Sequence, residues 1–292
     1  MALPSQPSLP SESAAWVTRL RELAVGDGGA LVATLAAVRT VAAEFGCTRR
    51  EVELAAVEAH VLPWRHKRNL GTTGWEGLAR LLRSTAAVVG LGGLGGYVVE
   101  GLARMGVGRL ILMDGDVFAE HNLNRQLFST EADIGRSKAE AARERVAAVN
   151  SAVDVTLYDT FATAETLPAR LQGADVVVDC TDQLPIRFTL QDAAARVGIP
   201  MVHGAIAGYI GQVMTIMPGD EGLRALYGHG DTPERGLEVE LGNPAATPMM
   251  IAAWEVQETV KVLLGVGRPL CRRMLFMDAE AGTVDVIDLG RE

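Results

Sequence analysis

Short apolar runs alternate with amphipathic helical patterns through most of this chain. The runs have the length of buried strands and lie at residues 86–89, 110–113, 153–157, 175–180 and 200–203. Helical patterns separate them at about residues 97–105, 138–149, 164–171 and 184–197. This alternation predicts an α/β fold in which helices cover both faces of a parallel sheet.

Three further β-type runs follow, at residues 212–217, 274–277 and 284–287, with a helical pattern at about 248–264. We therefore expect a Rossmann-like sheet that is parallel in its N-terminal part and antiparallel in its C-terminal strands. The Gly-rich polar stretch at about residues 219–247 predicts a mobile loop between the two parts.

The N-terminal region has a different pattern. Residues 1–12 begin with a Pro- and Ser-rich stretch that predicts a disordered tail. Helical patterns at residues 14–25, 30–45 and 49–61 predict a helical appendage over residues 13–62, and Thr48 with Glu51 forms a capping box at the third helix. We expect this appendage to pack against the main domain, residues 63–292, or against a second subunit; the alternative is a docking surface for a carrier or client enzyme.

Glycines lie between the first strand of the alternating region and its helix. Gly90, Gly92 and Gly95 form a dinucleotide-type fingerprint, and Gly93 follows the second of them. Glycines at this position let the backbone approach a phosphate, which the free N–H groups of the helix N-terminus then bind. The fingerprint alone suits NAD, FAD, SAM and ATP equally.

The residues after the second strand favour ATP. Asp114 follows the glycines at the distance at which an acid binds a nucleotide ribose. Arg125 and Lys138 supply the cations that a reaction at a triphosphate needs. Ser137 and Glu140 predict a capping box that puts Lys138 in the first turn of a helix, where a cation opposes the helix dipole. An exception to a local rule of this kind is typical of a functional site.

Two acids lie around the end of the third strand of the parallel sheet. Asp182 comes just after that strand, where ligands bind in open α/β sheets, and is a candidate Mg²⁺ ligand. Its other interpretation is an N-cap for the helix that begins near Leu184, and both interpretations can hold together. Asp179, inside the strand, is expected to be structural.

These motifs occur in the order and spacing of one known family. They are GLGGLGG at 90–96, DGD at 114–116, NLNRQ at 122–126, DIG at 133–135, Lys138 and DCTD at 179–182. Over residues 65–289 the chain resembles the ThiF/MoeB/HesA family, the bacterial relatives of the ubiquitin-activating enzymes. The resemblance implies ATP-dependent adenylation of a C-terminal carboxylate, usually the Gly-Gly end of a small ubiquitin-like sulfur-carrier protein, with ATP and Mg²⁺ as cofactors.

The resemblance also assigns individual residues. Asn122 and Arg125 match phosphate-contacting positions, and Arg68 matches an arginine that family homodimers supply in trans to the neighbouring ATP. The loop at 219–247 matches the crossover segment above the active site. Many family members carry two Cys-x-x-Cys pairs that bind zinc, and Cys47, Cys180 and Cys271 form none. The chain is therefore expected to be a zinc-free variant.

Composition limits the remaining functions. A formal net charge of −9 disfavours a nucleic-acid partner, and the sequence has neither a membrane-spanning run nor a signal-peptide pattern, which predicts a cytoplasmic protein. Three other functions stay open: a non-catalytic nucleotide-binding subunit, adenylation of a peptide or small-molecule carboxylate, and an NAD-dependent oxidoreductase. Arg125, Lys138 and Asp182 together disfavour the oxidoreductase.

Overall fold

The computed structural model describes residues 11–228 and 236–290. In chain order its elements are α1 Ser11–Leu23, β1 Val25–Asp27, β2 Ala30–Ala33, α2 Leu35–Phe45, α3 Arg49–Glu58, β3 Leu62–Pro63, α4 Lys67–Arg83, β4 Thr85–Val89, α5 Gly93–Met105, β5 Arg109–Asp114, α6 Lys138–Val149, β6 Asp154–Asp159, α7 Leu167–Arg170, β7 Val176–Asp179, α8 Leu184–Val197, β8 Met201–Ala207, β9 Ile210–Ile216, α9 Leu223–Tyr227, α10 Glu238–Leu241, α11 Ala246–Leu264, β10 Arg273–Asp278 and β11 Thr283–Asp288.

Eight strands form one sheet in the order β11-β10-β9-β8-β7-β4-β5-β6. The five strands from β6 to β8 are parallel, and β8 to β11 pair antiparallel. One apolar cluster joins the sheet to α5, α6 and α11, and a second joins its other face to α7 and α8. The predicted α/β fold, with a parallel first part and antiparallel C-terminal strands, is confirmed.

The N-terminal appendage contains its three predicted helices, but residues 30–33, which were predicted as helical, form a strand. Residues 25–27 and 30–33 form an antiparallel hairpin, which β3 extends to three strands. Gly28 and Gly29 have φ of 59° and 85° and make the two-residue turn, a hairpin signal that the helical period concealed. The helix after it begins at Leu35 because Thr34 caps it, its hydroxyl accepting from the Ala37 N–H at 3.2 Å.

Other predicted boundaries shift at both ends of the appendage. Residues 1–10 of the expected tail lie outside the described residues, and α1 already begins at Ser11. The third helix carries the predicted Thr48–Glu51 capping box but ends at Glu58. Among the described residues no helix has both the length and the apolar character that a bilayer span requires.

The appendage has its own apolar core, around Leu20, Val41 and Val52, and it is joined to the main domain both by a second apolar cluster against α4 and by ion pairs. Arg50 Nε lies 2.7 Å from a carboxylate oxygen of Asp154, the first residue of β6. This contact puts the appendage at the amino ends of the parallel strands. In a single chain it therefore lies on the edge opposite to the glycine loop.

Candidate active site

The glycine loop connects β4 to α5 and leaves no room for side chains at two of its positions. A Cβ on Gly90, whose φ is 88°, would lie 2.6 Å from the Cys180 carbonyl oxygen. A Cβ on Gly95 would lie 1.9 Å from the Gly90 carbonyl oxygen. Gly92 is the N-cap of α5 and Gly93 its first residue. The loop therefore runs at the carboxyl end of β4 with the α5 N-terminus behind it, as phosphate binding requires.

Asp114 ends β5 and is tied to this loop. Its carboxylate accepts from the Leu91 N–H at 2.7 Å and from the Asp116 N–H at 2.8 Å. Burial raises the pKa of Asp114 above its ordinary value, and the two N–H donors oppose that shift. The predicted ribose ligand thus has a fixed orientation beside the glycine loop.

Lys138 lies in the first turn of α6, as predicted, and is only 7% exposed. Its ammonium lies 3.0 Å from Oδ2 of Asp116, and its N–H donates to the Asp116 carbonyl at 3.0 Å. Asp116 therefore stabilises a cation that the helix dipole disfavours. This contact was not predicted, although Asp116 belongs to the motif that contains Asp114.

The capping box predicted at α6 is only half formed. The Ser137 hydroxyl accepts from the Glu140 N–H at 3.2 Å, as expected. The Glu140 carboxylate, however, accepts from Arg143 Nε at 2.9 Å. In a complete capping box it would accept from the Ser137 N–H. An arginine three residues along the same helix face competes for that carboxylate.

Arg125 lies against the glycine loop. A Cβ on Gly93 would be 3.6 Å from Arg125 Cγ, and Nη1 donates to the His121 carbonyl at 3.1 Å and to Asn124 Oδ1 at 2.9 Å. Burial lowers the pKa of Arg125, and the charge of Asp182 opposes that shift. Arg125 therefore lies along Gly93 and close enough to Asp182 to interact with its charge.

The N-cap interpretation of Asp182 is wrong. The N-cap of α8 is Gln183, and it makes no side-chain capping bond. Asp182 is exposed at the carboxyl edge of the sheet. The loop before it is fixed from both sides, because the Thr181 hydroxyl donates to Asp179 Oδ1 at 2.7 Å while Arg187 Nη2 donates to the Thr181 carbonyl at 2.7 Å.

Asp179 is structural, as expected. It is fully buried, and its Oδ2 lies 2.7 Å from Nδ1 of the buried His203. Burial alone would raise the pKa of Asp179, but the contacts with His203, Arg187 and Thr181 outweigh it and leave that pKa below its ordinary value. An anionic Asp179 thus anchors the turn that carries Asp182.

Cys180 and Glu255 form a buried contact beneath the glycine loop. The Cys180 thiol lies 3.9 Å from Glu255 Oε1. Burial raises the pKa of both groups well above their ordinary values. A protonated, buried thiol is unreactive, which agrees with a packing role for Cys180.

Within one chain, the surroundings of Asn122 and Arg68 differ from the ATP contacts that the resemblance assigns to these two residues. Asn122 is 4% exposed, and its Oδ1 accepts from the Ala119 N–H at 2.9 Å, so its contact is structural and supports the turn before Arg125. Arg68 is exposed on the first turn of α4. The next residue, Asn69, donates to the carbonyl of Arg104 at the far end of α5, about 20 Å from the glycine loop for a helix of 13 residues.

Phe161 lies at the edge of the candidate site and was not predicted from the sequence. It lies two residues after β6, is 63% exposed, and its ring fills the space beside Gly115, where a Cβ would be 2.9 Å from it. Along the edge the order is glycine loop at β4, Asp114 at β5, and Phe161 after β6. An aromatic residue shortly after a strand of a predicted parallel sheet was the available signal.

The region at 219–247 contains two short helices, α9 and α10, within its described parts, and residues 229–235 lie outside them. Leu223 is buried at the start of α9. In the described part of the chain, no three His, Cys, Asp or Glu side chains are grouped closely enough to hold a metal ion.

Comparison with known proteins identifies the family of this chain. The ThiF family model matches residues 66–292. The chain belongs to the ThiF family. The SAMP-activating enzyme E1 of Haloferax volcanii is 36% identical over 217 residues, which are 73% of this chain and 80% of that protein. The sulfur carrier protein adenylyltransferase of Thermus thermophilus is also 36% identical over 217 residues, 72% and 80% of the two chains.

A solved structure of E. coli MccB with ATP has the same fold as this ThiF-family chain. The TM-score is 0.64 at 19% identity, over 84% of this chain and 71% of that one. The resemblance recognised in the sequence motifs is therefore confirmed at the level of family and fold.

Proposed function

We propose that this protein catalyses the ATP-dependent adenylation of the C-terminal carboxylate of a small ubiquitin-like sulfur-carrier protein and releases pyrophosphate. The names of the two ThiF-family relatives support the reaction. The observation that carries the proposal is the pair of cations around one glycine loop, Arg125 beside Gly93 and Lys138 beside Asp116.

The chemistry needs no acid or base from the protein. The carrier carboxylate is ionised near neutral pH and attacks the α-phosphorus of ATP. A new carboxyl oxygen–phosphorus bond forms, and the bond from that phosphorus to the bridging oxygen breaks, so pyrophosphate leaves with the electron pair. Arg125 and Lys138 offset the charge that develops on the phosphates, and the amides of the glycine loop orient them.

The remaining site residues position the nucleotide. Asp114 accepts from the ribose hydroxyls, and the base stacks on the exposed ring of Phe161. Asp182 fits a Mg²⁺ ligand, because it is an exposed carboxylate beside the phosphate loop and Mg²⁺ takes one or two carboxylates together with phosphate oxygens. The ion would neutralise phosphate charge when bound. Arg68 would act on the ATP of a second subunit in a homodimer, since its own loop is too distant.

ATP–pyrophosphate exchange in the presence of a Gly-Gly-terminated carrier tests this function. Lys138→Ala is expected to slow exchange by about a hundred-fold or more, the usual effect of losing one preorganised contact to the transition state. Arg143→Ala is the matched control, because Arg143 is an exposed cation on the same helix and pairs with Glu140. Exchange unaffected by Lys138→Ala, or tight NAD binding without ATP binding, would refute the assignment.

A further inference from the structure

The segment that carries Arg68 lies between the N-terminal appendage and the main domain. A 3₁₀ turn, Trp64–His66, leads directly into α4, whose second residue is Arg68. Arg68 is exposed and lies near the end of α5 that is distant from the glycine loop of its own chain. The position of Arg68 therefore depends on the contacts that fix the turn before it.

Glu53, on α3 of the appendage, is the central contact of this turn. It is fully buried, and its two carboxylate oxygens lie 3.2 Å from Arg65 Nε and 3.4 Å from His66 Nε2. Neither contact has the alignment of a hydrogen bond, so Glu53 acts on the turn mainly through its charge. Attraction between charges is stronger in a buried place because little water screens it.

His66 connects this contact to the main domain. Its ring is fully buried against the end of α5, where a Cβ on Gly106 would lie 2.6 Å from His66 Cε1. Asn69 Nδ2 lies 3.3 Å from His66 Nδ1 and donates to the Arg104 carbonyl at 2.9 Å. Because an amide nitrogen only donates, His66 Nδ1 accepts, and the ring proton lies on Nε2, which faces Glu53.

A second acid of the appendage contacts the same segment. Asp27, the last residue of β1, pairs with Lys67, the residue directly before Arg68. The hydrogen bond from Lys67 lowers the pKa of Asp27, and the charge of Arg68 acts in the same direction. On the other side of the segment, Arg65 Nη1 donates to Asn150 Oδ1 at the end of α6. The turn before Arg68 is thus tied to α3 and β1 of the appendage as well as to the main domain.

We propose that the appendage positions Arg68 for the ATP of the neighbouring subunit, with Glu53 as the central positioning residue. Arg68 makes the contact with ATP, and Glu53 acts through the turn that precedes Arg68. This inference rests on the proposed function, because it assumes that a homodimer brings Arg68 to the ATP of the second subunit.

Amide hydrogen exchange tests the positioning without any substrate. Glu53→Gln keeps the size of the side chain and removes its charge, so the amides of residues 64–69 are expected to exchange about ten-fold faster. Glu44→Gln is the matched control, because Glu44 is also an acid of the appendage and its carboxylate lies 2.9 Å from Arg19 Nε, between α2 and α1. Unchanged exchange in Glu53→Gln, or an equal rise in both variants, would overturn the proposal.

Catalysis in mixed dimers tests whether Glu53 acts on the other subunit. Glu53→Gln should slow carrier-dependent ATP–pyrophosphate exchange about ten-fold or more, because a misplacement of about 1 Å can cost about a hundred-fold. In an Arg68→Ala background it should cause no further loss, since its effect passes through Arg68. Glu53→Gln chains mixed with Lys138→Ala chains should regain activity, because one site of the heterodimer combines an intact Lys138 with an Arg68 that an intact Glu53 positions.

The outcomes separate this inference from the proposed function. A further loss in the Arg68→Ala background, or no recovery in confirmed heterodimers, would mean that Glu53 does not act through Arg68 in trans. Native protein without ATP–pyrophosphate exchange would contradict the adenylation reaction. Native activity that Glu53→Gln leaves unchanged would contradict only the positioning by Glu53.

Discussion

Replacing Thr181 by valine tests how the chain positions Asp182. Valine has nearly the same shape but cannot donate to Asp179 Oδ1, which now accepts from the Thr181 hydroxyl at 2.7 Å. A hydrogen bond to a charged group contributes about 1.5–3 kcal/mol. Asp179 would retain the Thr181 N–H at 3.1 Å and His203, so the fold is expected to survive while the turn before Asp182 loosens.

The expected result is a weaker response to Mg²⁺. Changes to the residues that orient a metal ligand typically lower metal affinity by about 10–100-fold. The Mg²⁺ concentration that produces half of the Mg²⁺-dependent gain in ATP affinity should therefore rise by about 10–100-fold. ATP binding without Mg²⁺ should be unchanged. Calorimetric titration of ATP at several Mg²⁺ concentrations measures both quantities, and Thr181→Ser should restore the native value because it keeps the hydroxyl.

Thr215→Val is the matched control. Thr215 is buried, and its hydroxyl donates to Glu258 Oε2 at 2.8 Å, so this variant loses a bond of the same kind away from the Asp182 turn. Both variants should lower the melting temperature, but only Thr181→Val should change the Mg²⁺ dependence. The reasoning is refuted if Thr215→Val has the same effect, or if Thr181→Val weakens ATP binding equally with and without Mg²⁺.

Three further outcomes can be measured. Phe161→Ala should weaken ATP binding about 5–150-fold, the value of one stacked base, whereas Phe45→Ala, which removes an exposed ring from the N-terminal appendage, should not; equal losses would contradict stacking on Phe161. Burial holds the pKa of Glu255 in the folded protein well above its ordinary value. Above about pH 4.3 the Glu255 carboxyl ionises more readily in the unfolded chain than in the folded protein, so the free energy of unfolding falls as the pH rises. Glu255→Gln should therefore raise the melting temperature at pH 8 and leave it unchanged at pH 4, and a rise of equal size at both would contradict a protonated Glu255. Mixed Arg68→Ala and Lys138→Ala chains should regain partial exchange activity, and no recovery in confirmed heterodimers would exclude action of Arg68 in trans.

Much of the fold and part of the site could be predicted from short stretches of sequence. Strand and helix periods need about ten consecutive residues, and the parallel direction of the strands followed from their alternation with helices. The glycine loop and the position of Lys138 in the first turn of α6 depend on neighbours within four residues. Signals of this range depend little on the rest of the molecule, so most of them carried over to the structure. The exceptions are residues 30–33, which were predicted as helical and form a strand, and the α6 capping box, which is half formed.

Contacts between distant residues were decided by the tertiary structure alone. Asp116 meets Lys138 across 22 residues, and β7 lies beside β4 because a crossover returns it to the centre of the sheet. That placement brings Asp182 near Arg125. The sequence by itself therefore determined which chemistry the chain carries, and the packing of the sheet decided which charges face each other.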